Sequence, residues 1–165
     1  MPDAVTLLKE DHRKVEDLFE QYEDAVRDGR KRKLAEQIAA ELIVHSQIEE
    51  EIFYPACEGK VEEADLKEAY VEHDAAKVLI AEIIAGGPDD DYYDAKVKVL
   101  KEEITHHIKE EEGWLSGMFS QAKRHGVDMD ALGEELAARK TELMGGIKKN
   151  GLPKVKLTTM DEVKV

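Results

Sequence analysis

Four long stretches of this sequence carry apolar residues every three or four positions, and this repeat constrains the fold more than any other feature. The stretches run from about residue 3 to 27, 31 to 54, 62 to 85 and 91 to 124, and glycine or proline follows each of them closely. A helix with one apolar stripe buries that stripe against its neighbours, and short connections make consecutive helices antiparallel. The pattern predicts an all-α fold, with an antiparallel up-down-up-down four-helix bundle over residues 1–126.

The sequence after the bundle predicts a short extra helix and a tail. The helix covers residues 127–147 and is expected to pack on the same domain, and residues 148–165 form a lysine-containing tail. Two interpretations of this tail stay open. A basic tail on an acidic chain is expected to lie across the bundle, and a disordered tail is the other interpretation.

Charge and cysteine content limit the classes of partner. The chain has 38 acidic and 24 basic residues, a net charge of −14, and phosphate contacts need clustered cations. No apolar run approaches the roughly 20 residues of a membrane span. Cys57 is the single cysteine, which excludes an internal disulfide and fits a reducing compartment. We expect a cytoplasmic monomer or small homo-oligomer, with neither a nucleic acid nor a membrane as partner.

Four of the six histidines lie on apolar helix faces. The residues seven positions before and after each are apolar: Val5 and Phe19 for His12, Ile38 and Ile52 for His45, Leu66 and Ile80 for His73, and Leu100 and Trp114 for His107. His106 and His125 do not follow this rule. A glutamate follows one turn after two of the four, Glu49 after His45 and Glu111 after His107. The pattern predicts four imidazoles and two carboxylates inside one bundle.

The two halves of the predicted bundle repeat one another. Residues 41–50 align with residues 103–112 at an offset of 62, with histidine on histidine and three glutamates on glutamates. His12 and His73 are separated by a similar 61 positions. The first two helices therefore correspond to the last two, which predicts approximate two-fold symmetry.

Six buried polar groups need compensation. Each polar group buried without a partner costs about 1–3 kcal/mol, against a net stability of about 5–15 kcal/mol for a typical protein. Two divalent metal ions would provide this compensation, because imidazole nitrogen and carboxylate oxygen are ligands of iron, manganese and zinc. The absence of clustered thiolates favours non-haem iron, with manganese or zinc as alternatives. A hydrogen-bonded histidine–glutamate network without metal is the other interpretation.

These residues carry a resemblance to a known family. His12, then His45-Ser-Gln-Ile-Glu49, then Glu72-His73-Asp74, then His107-Ile-Lys-Glu-Glu111 resemble the hemerythrin-like, HHE cation-binding domain family over about residues 3–125. The resemblance implies two non-haem iron ions, oxo- or hydroxo-bridged when oxidised. It also implies terminal ligands at His12, His45, His73 and His107 and bridging carboxylates at Glu49 and Glu111. Ferritin-like bundles place glutamate before histidine, the reverse of the order here.

One position departs from the oxygen carriers of that family. They have a further histidine one turn after the histidine of the third long helix, where this chain has Lys77. A missing ligand favours reaction with peroxide, oxygen or nitric oxide over reversible oxygen carriage. We therefore expect a protein that binds or reduces a small oxidant, with a peroxide-decomposing activity as the enzymatic form of this hypothesis. A non-catalytic iron-binding or storage module, or an iron or oxygen sensor, is the alternative.

Several residues are expected near the site without an assigned catalytic role: Tyr70, Glu103, Glu41 and Lys77. Glu41 and Glu103 precede the histidines of their helices by one turn and are either acceptors for imidazole N–H groups or solvent-edge carboxylates. Lys77 is expected to extend to solvent rather than to donate to the site. Tyr54 lies nearly opposite His45 on an unbroken helix and reaches the site only if the helix unwinds before Pro55.

Four further residues are expected to have structural or solvent-facing roles. Trp114 is expected in the core, and Cys57 in the loop after Pro55. Glu50 and Glu112, which neighbour the predicted ligands Glu49 and Glu111, are expected on a solvated face.

Overall fold

The computed structural model describes residues 1–161, and its regular structure is entirely helical over that range. Its elements are α1 Ala4–Asp24, α2 Asp28–Ile48, a π-helical turn Glu49–Phe53, α3 Tyr54–Cys57, α4 Glu63–Gly86, α5 Tyr93–Glu112, α6 Met118–Arg124 and α7 Met129–Asn150. The predicted all-α class is therefore confirmed. Each described helix is too short or too polar to cross a lipid bilayer.

The four longest helices of the predicted bundle region contact one another in a ring. Helix α1 packs against α2, α2 against α4, α4 against α5, and α5 against α1. Two apolar clusters fill the interior. The first contains Leu34, Ile38 and Leu100, and the second contains Leu8 and Ile48. Along α1, α2 and α4 the histidine lies where one cluster gives way to the other, so a polar layer is enclosed between two apolar ones.

The second predicted stretch does not end before Pro55. It continues through the π-helical turn into α3, where Pro55 occupies the first turn. Proline has no N–H to donate to the preceding turn, which fits the departure from regular α-helix directly before it. Cys57 is buried at the end of α3 and belongs to the second apolar cluster, so its expected loop position is wrong.

The fourth predicted stretch is two helices rather than one. Helix α5 ends at Glu112, and α6 begins at Met118 after a short irregular segment. A Cβ atom on Gly117 would lie 2.3 Å from the carbonyl oxygen of Gly113, so this return of the chain needs glycine at that position. Trp114 is 86% exposed on this segment, and its predicted core position is wrong. The apolar residues keep their helical spacing across this break, so the sequence pattern did not reveal it.

The C-terminal part of the chain packs against the helices that hold the histidines. Helix α7 begins after Asp128, whose side chain accepts a hydrogen bond from the Ala131 N–H, and it packs on α1 and α2. It runs to Asn150, beyond the predicted boundary at residue 147. Leu152 and Val155 of the following segment then pack against the first apolar cluster. The last part of the predicted tail, residues 162–165, lies outside the described residues.

Substitutions at two glycines of α7 test how this helix packs on the N-terminal residues. A Cβ atom on Gly133 would lie 2.4 Å from the Pro2 carbonyl oxygen, whereas a Cβ atom on Gly145 meets nothing within 4 Å. We expect Gly133→Ala to lower the free energy of unfolding by about 1–3 kcal/mol through overpacking. Gly145→Ala should raise it by about 0.5–1 kcal/mol, because alanine favours a helix interior over glycine. Urea unfolding measures both, and equal effects would contradict the docking of α7 on the N-terminal residues.

Candidate metal centre

The structure brings together the six residues that the sequence analysis selected as metal ligands. Each histidine comes from a different long helix: His12 from α1, His45 from α2, His73 from α4 and His107 from α5. Glu49 opens the π-helical turn, and Glu111 lies in the last turn of α5. Their exposed fractions lie between 0% and 7%, so the cluster is buried.

The six residues form two groups of three. His12, His45 and Glu111 make one group, and Glu49, His73 and His107 make the other. Within each group the ligand atoms lie within 4.8 Å of one another, close enough to share one metal ion. Each group combines two imidazoles with one carboxylate, the donor set that iron, manganese and zinc all accept.

The two glutamates connect the groups. Glu49 Oε1 lies 3.1 Å from His45 Nε2 and 3.2 Å from His73 Nε2. Glu111 Oε1 lies 3.2 Å from His12 Nε2 and 3.4 Å from His107 Nε2. Two ligands at right angles, about 2.1 Å from one metal, are separated by about 3.0 Å. These spacings fit a pair of metals with each carboxylate between them.

Four outer carboxylates fix the orientation of the imidazoles. The Nδ1 atoms donate as follows: His12 to Glu112 at 2.5 Å, His45 to Asp11 at 2.8 Å, His73 to Glu50 at 3.0 Å, and His107 to Glu72 at 2.8 Å. An ionised carboxylate only accepts hydrogen bonds, so Nδ1 carries the proton in each pair. In all four rings Nε2 is therefore the nitrogen that faces the interior of the cluster. Metal-binding histidines are commonly held in this way, by a hydrogen bond from the ring nitrogen that does not bind the metal.

The sequence analysis missed these four acceptors and expected Glu50 and Glu112 on a solvated face. Each acceptor is nevertheless the chain neighbour of a predicted ligand: Asp11 precedes His12, Glu50 follows Glu49, Glu72 precedes His73, and Glu112 follows Glu111. Adjacency to a predicted ligand could therefore have identified these acceptors from the sequence. It does not tell which histidine is contacted, because all four acceptors bind a histidine of another helix.

The cluster has a strong excess of negative charge. Six carboxylates surround four imidazoles, while Arg13, Lys77 and Lys140 each contact one of the outer carboxylates. Burial alone would lower the pKa of His45, but the adjacent Glu49 and Asp11 carboxylates raise it to about 10. The pKa of His107 is also raised, against the effect of burial, by Glu111. The cluster therefore attracts positive charge, and two divalent cations would supply it.

Four buried atoms of the cluster show that its residues fit a metal pair. His12 Nε2, His45 Nε2, Glu49 Oε2 and Glu111 Oε1 have no hydrogen-bond partner anywhere in residues 1–161. A buried polar atom without a partner costs about 1–3 kcal/mol, and native proteins contain few of them. These atoms belong to predicted ligands, and coordination to metal would satisfy them.

Tyr54 joins the cluster because of the π-helical turn. On an unbroken α-helix Tyr54 would lie about 180° around the axis from His45, and the extra residue of the turn reduces this angle to about 80°. Its hydroxyl donates to Glu111 Oε2 at 2.8 Å and lies 3.1 Å from His73 Nε2 and 3.2 Å from His107 Nε2. The condition stated for Tyr54 from the sequence, a departure from α-helix before Pro55, is therefore met.

The other candidate residues lie farther from the ligands. Lys77 is only 9% exposed, so its expected extension to solvent is wrong. The Tyr70 ring packs edge-on against the Tyr54 ring, with 5.2 Å between centroids. Glu41 and Glu103 do not accept the imidazole N–H groups, which the four outer carboxylates bind instead. Both line a small cavity beside the histidines.

Two cavities adjoin the cluster. The small one measures about 20 Å³ and is lined by all four buried histidines together with Glu41, Glu103 and apolar residues. A larger surface cavity of about 340 Å³ reaches His107 and Glu111 from the side of His106. His106 is exposed among Glu68, Glu72 and Glu110, and His125 Nδ1 donates a hydrogen bond to the Lys60 carbonyl oxygen at 2.8 Å. Neither histidine belongs to the buried cluster.

The helical fold and the buried histidine–glutamate cluster define a helical cation-binding domain. The chain belongs to the hemerythrin family: the family model "Hemerythrin HHE cation binding domain" matches residues 3–119. The resemblance noted from the sequence is confirmed.

The chain is similar to a protein with a solved structure and to a curated protein. A solved structure of a "Hemerythrin HHE cation binding domain-containing protein", an Rv2633c homolog from Mycobacterium kansasii, has a TM-score of 0.76 and 23% identity, covering 92% of this chain and 96% of that one. A curated protein from Nostoc sp. named "DNA nickase" is 28% identical over 109 residues, which is 66% of this chain. This match spans only 31% of the nickase.

The outer carboxylates lead to a prediction about metal affinity. Glu112→Ala removes the acceptor that orients His12, and changes of this kind typically weaken metal binding ten- to 100-fold. We expect at least a tenfold weaker affinity for a divalent metal, measured by competition with a chromogenic chelator. Glu102→Ala, an exposed change on the same helix, is the control and should stay within twofold of the unmodified protein. An equal affinity for both variants would contradict the orienting role.

Proposed function

We propose that this chain is a non-haem di-iron protein that binds or reduces a small oxidant, namely oxygen, hydrogen peroxide or nitric oxide. The observation that carries the proposal is the position of the Glu49 and Glu111 oxygens, each close to a histidine of both groups. His12 and His45 would hold one iron, and His73 and His107 the other. Glu49 and Glu111 would bridge the pair.

The proposal includes the up-down-up-down order of the bundle. Along α1 and α4 the buried residues belong first to the second apolar cluster and then to the first, whereas along α2 the order is reversed. Helix α5 begins in the first cluster and leads to α6 in the second. Alternating directions let each helix contribute one histidine at the same level between the clusters.

Iron is favoured among the metals for a chemical reason. The donors are nitrogen and oxygen alone, and the buried Cys57 belongs to neither group of candidate ligands. Iron can change its oxidation state in such a site, whereas zinc cannot. Manganese shares these properties and is the alternative that metal analysis would reveal.

The small cavity supports a small oxidant. Its volume of about 20 Å³ is close to the space that one water molecule needs. Val15, Leu42, Ile104 and Ile108 make part of its wall apolar, and the buried histidines line it together with polar residues that include Glu41 and Glu103. Oxygen, hydrogen peroxide and nitric oxide, with two heavy atoms each, are close to this size.

Glu103 is placed to supply protons in this cavity. Its Oε2 is buried without a hydrogen-bond partner in residues 1–161, and burial together with the nearby Glu72 raises its pKa. Reduction of one peroxide molecule to two water molecules consumes two electrons and two protons. The two bound irons would supply one electron each, a protonated Glu103 carboxyl would supply one proton beside the oxidant, and water would supply the other.

The proposed partner is a small molecule, and neither a nucleic acid nor a membrane is proposed as a partner. The nickase name belongs to a relative about three times as long as the matched region, and the net charge of −14 here opposes phosphate contacts. A cytoplasmic location is part of the same proposal, since the only cysteine is buried and free. The second candidate function is a sensor of iron or oxygen, because a sensor binds its ligand tightly without converting it.

The reaction of the reduced protein with peroxide tests the proposal. Protein reconstituted with ferrous iron without oxygen should contain about two irons per chain and should be oxidised by peroxide in stopped-flow spectra. Glu103→Gln removes the proton and should slow this oxidation about 100-fold, within the range typical of general acid catalysis. Glu102→Gln, an exposed neighbour, should leave the rate unchanged.

Three results would count against this proposal. Iron content near zero would exclude the di-iron centre. An oxygen adduct that forms and bleaches reversibly would favour carriage or sensing over reduction. Full indifference to oxygen, peroxide and nitric oxide would favour a non-catalytic iron-binding module.

A further inference from the structure

The segment after α7 ends against α4, directly beside His73. We define residues 152–160 as the C-terminal strap. Its beginning is held by Leu152 and Val155, which pack on the first apolar cluster. Its end reaches three polar residues: Asp74, Lys77 and Glu50.

Asp74 binds the end of the strap. Its side chain is 0% exposed. It accepts hydrogen bonds from the backbone N–H groups of Thr158 at 2.9 Å, Thr159 at 2.6 Å and Met160 at 2.9 Å, and from the Thr159 hydroxyl at 2.7 Å. Four hydrogen-bond donors of the strap therefore converge on the buried Asp74 carboxylate. Asp74 immediately follows His73, so the strap is fixed to the helix at the point where the metal ligand projects.

Lys77 links the strap to the same helix. Its ammonium donates to the Lys156 carbonyl oxygen at 2.9 Å and to the Thr158 hydroxyl at 3.4 Å. It also lies 2.9 Å from Glu50 Oε2. The residue at the position that distinguishes this chain from oxygen carriers is therefore engaged by the strap and by an outer carboxylate.

Glu50 connects the strap to His73. One oxygen, Oε2, accepts the hydrogen bond from His73 Nδ1 at 3.0 Å, and the other, Oε1, accepts a hydrogen bond from the Thr158 hydroxyl. Glu50 lies in the π-helical turn, whose backbone is shared with the ligand Glu49. The two oxygens of one carboxylate thus join the strap to the imidazole.

We infer that the C-terminal strap positions His73, by holding Glu50 through Thr158 and Lys77, and so controls how firmly one of the two metals is bound. This inference rests on the metal pair proposed above. Asp74 anchors the strap, Thr158 and Lys77 fix the Glu50 carboxylate, and Glu50 orients the imidazole. The strap makes no such contact with His12, His45 or their acceptors Glu112 and Asp11 among the described residues, so its effect falls on the group of His73 alone.

Two variants of the full chain separate the steps of this path. Thr158→Val removes the hydroxyl that binds Glu50 and Lys77 while keeping the side-chain volume. Asp74→Asn removes the anionic acceptor of the strap. Thr141→Val is the matched control, because the Thr141 hydroxyl donates to the Ala137 carbonyl oxygen within α7, away from the strap.

The first measurement uses metal-free protein and does not depend on iron. In ¹⁵N-labelled protein we expect the His73 Nδ1 proton to exchange with water at least tenfold faster in Thr158→Val than in the control. The His107 Nδ1 proton, held by Glu72, should be unchanged. In Asp74→Asn the amide protons of Thr158, Thr159 and Met160 should also exchange at least tenfold faster.

The second measurement follows removal of iron by a chelator. Loss of an orienting hydrogen bond typically weakens metal binding ten- to 100-fold. We expect both variants to release one of their two irons about tenfold faster and the other at the rate of the control. General destabilisation would accelerate both phases together, and that result would overturn the inference.

The two proposals fail separately. Protein that binds no iron would exclude the di-iron centre, while the exchange of the His73 ring proton would still decide the role of the strap. An unchanged His73 proton in Thr158→Val and Asp74→Asn would overturn the positioning role, whatever the iron content.

Discussion

The hydrogen bond from each buried imidazole Nδ1 to an outer carboxylate is the interaction on which the centre depends. It fixes the ring orientation and leaves Nε2 facing the interior in all four cases. Without it, a histidine between two apolar clusters would be a polar group free to turn toward any available partner. The bond also links helices, because Asp11 of α1 binds His45 of α2 and Glu72 of α4 binds His107 of α5.

The centre follows the two-fold repeat of the sequence. The helix pair α1 and α2 provides His12 and His45, and the pair α4 and α5 provides His73 and His107. Each group then takes its glutamate from the other half: Glu111 of α5 joins the first pair, and Glu49, after α2, joins the second. This exchange binds the two halves of the domain together through the site itself.

The sequence predicted which residues form the buried cluster better than it predicted their surroundings. Helical periodicity was enough to place the four histidines inward, because a single period describes a long regular helix. It gave no warning of the π-helical turn that brings Tyr54 to the cluster, nor of the Gly113–Gly117 break that exposes Trp114. It left the tail open, because contacts such as those of Thr158 with Asp74 join residues 84 positions apart. Local patterns carry no information on such contacts.

The most direct measurement of the central claim is anomalous X-ray diffraction at the iron absorption edge, on crystals of the iron-loaded protein. The account predicts two anomalous peaks inside the helices, one about 2.0–2.2 Å from the His12 and His45 Nε2 atoms and one at the same distance from those of His73 and His107. The carboxylates of Glu49 and Glu111 should lie between the peaks. A cluster without an anomalous peak, or iron found only at the surface group of His106 and Glu68, would contradict it.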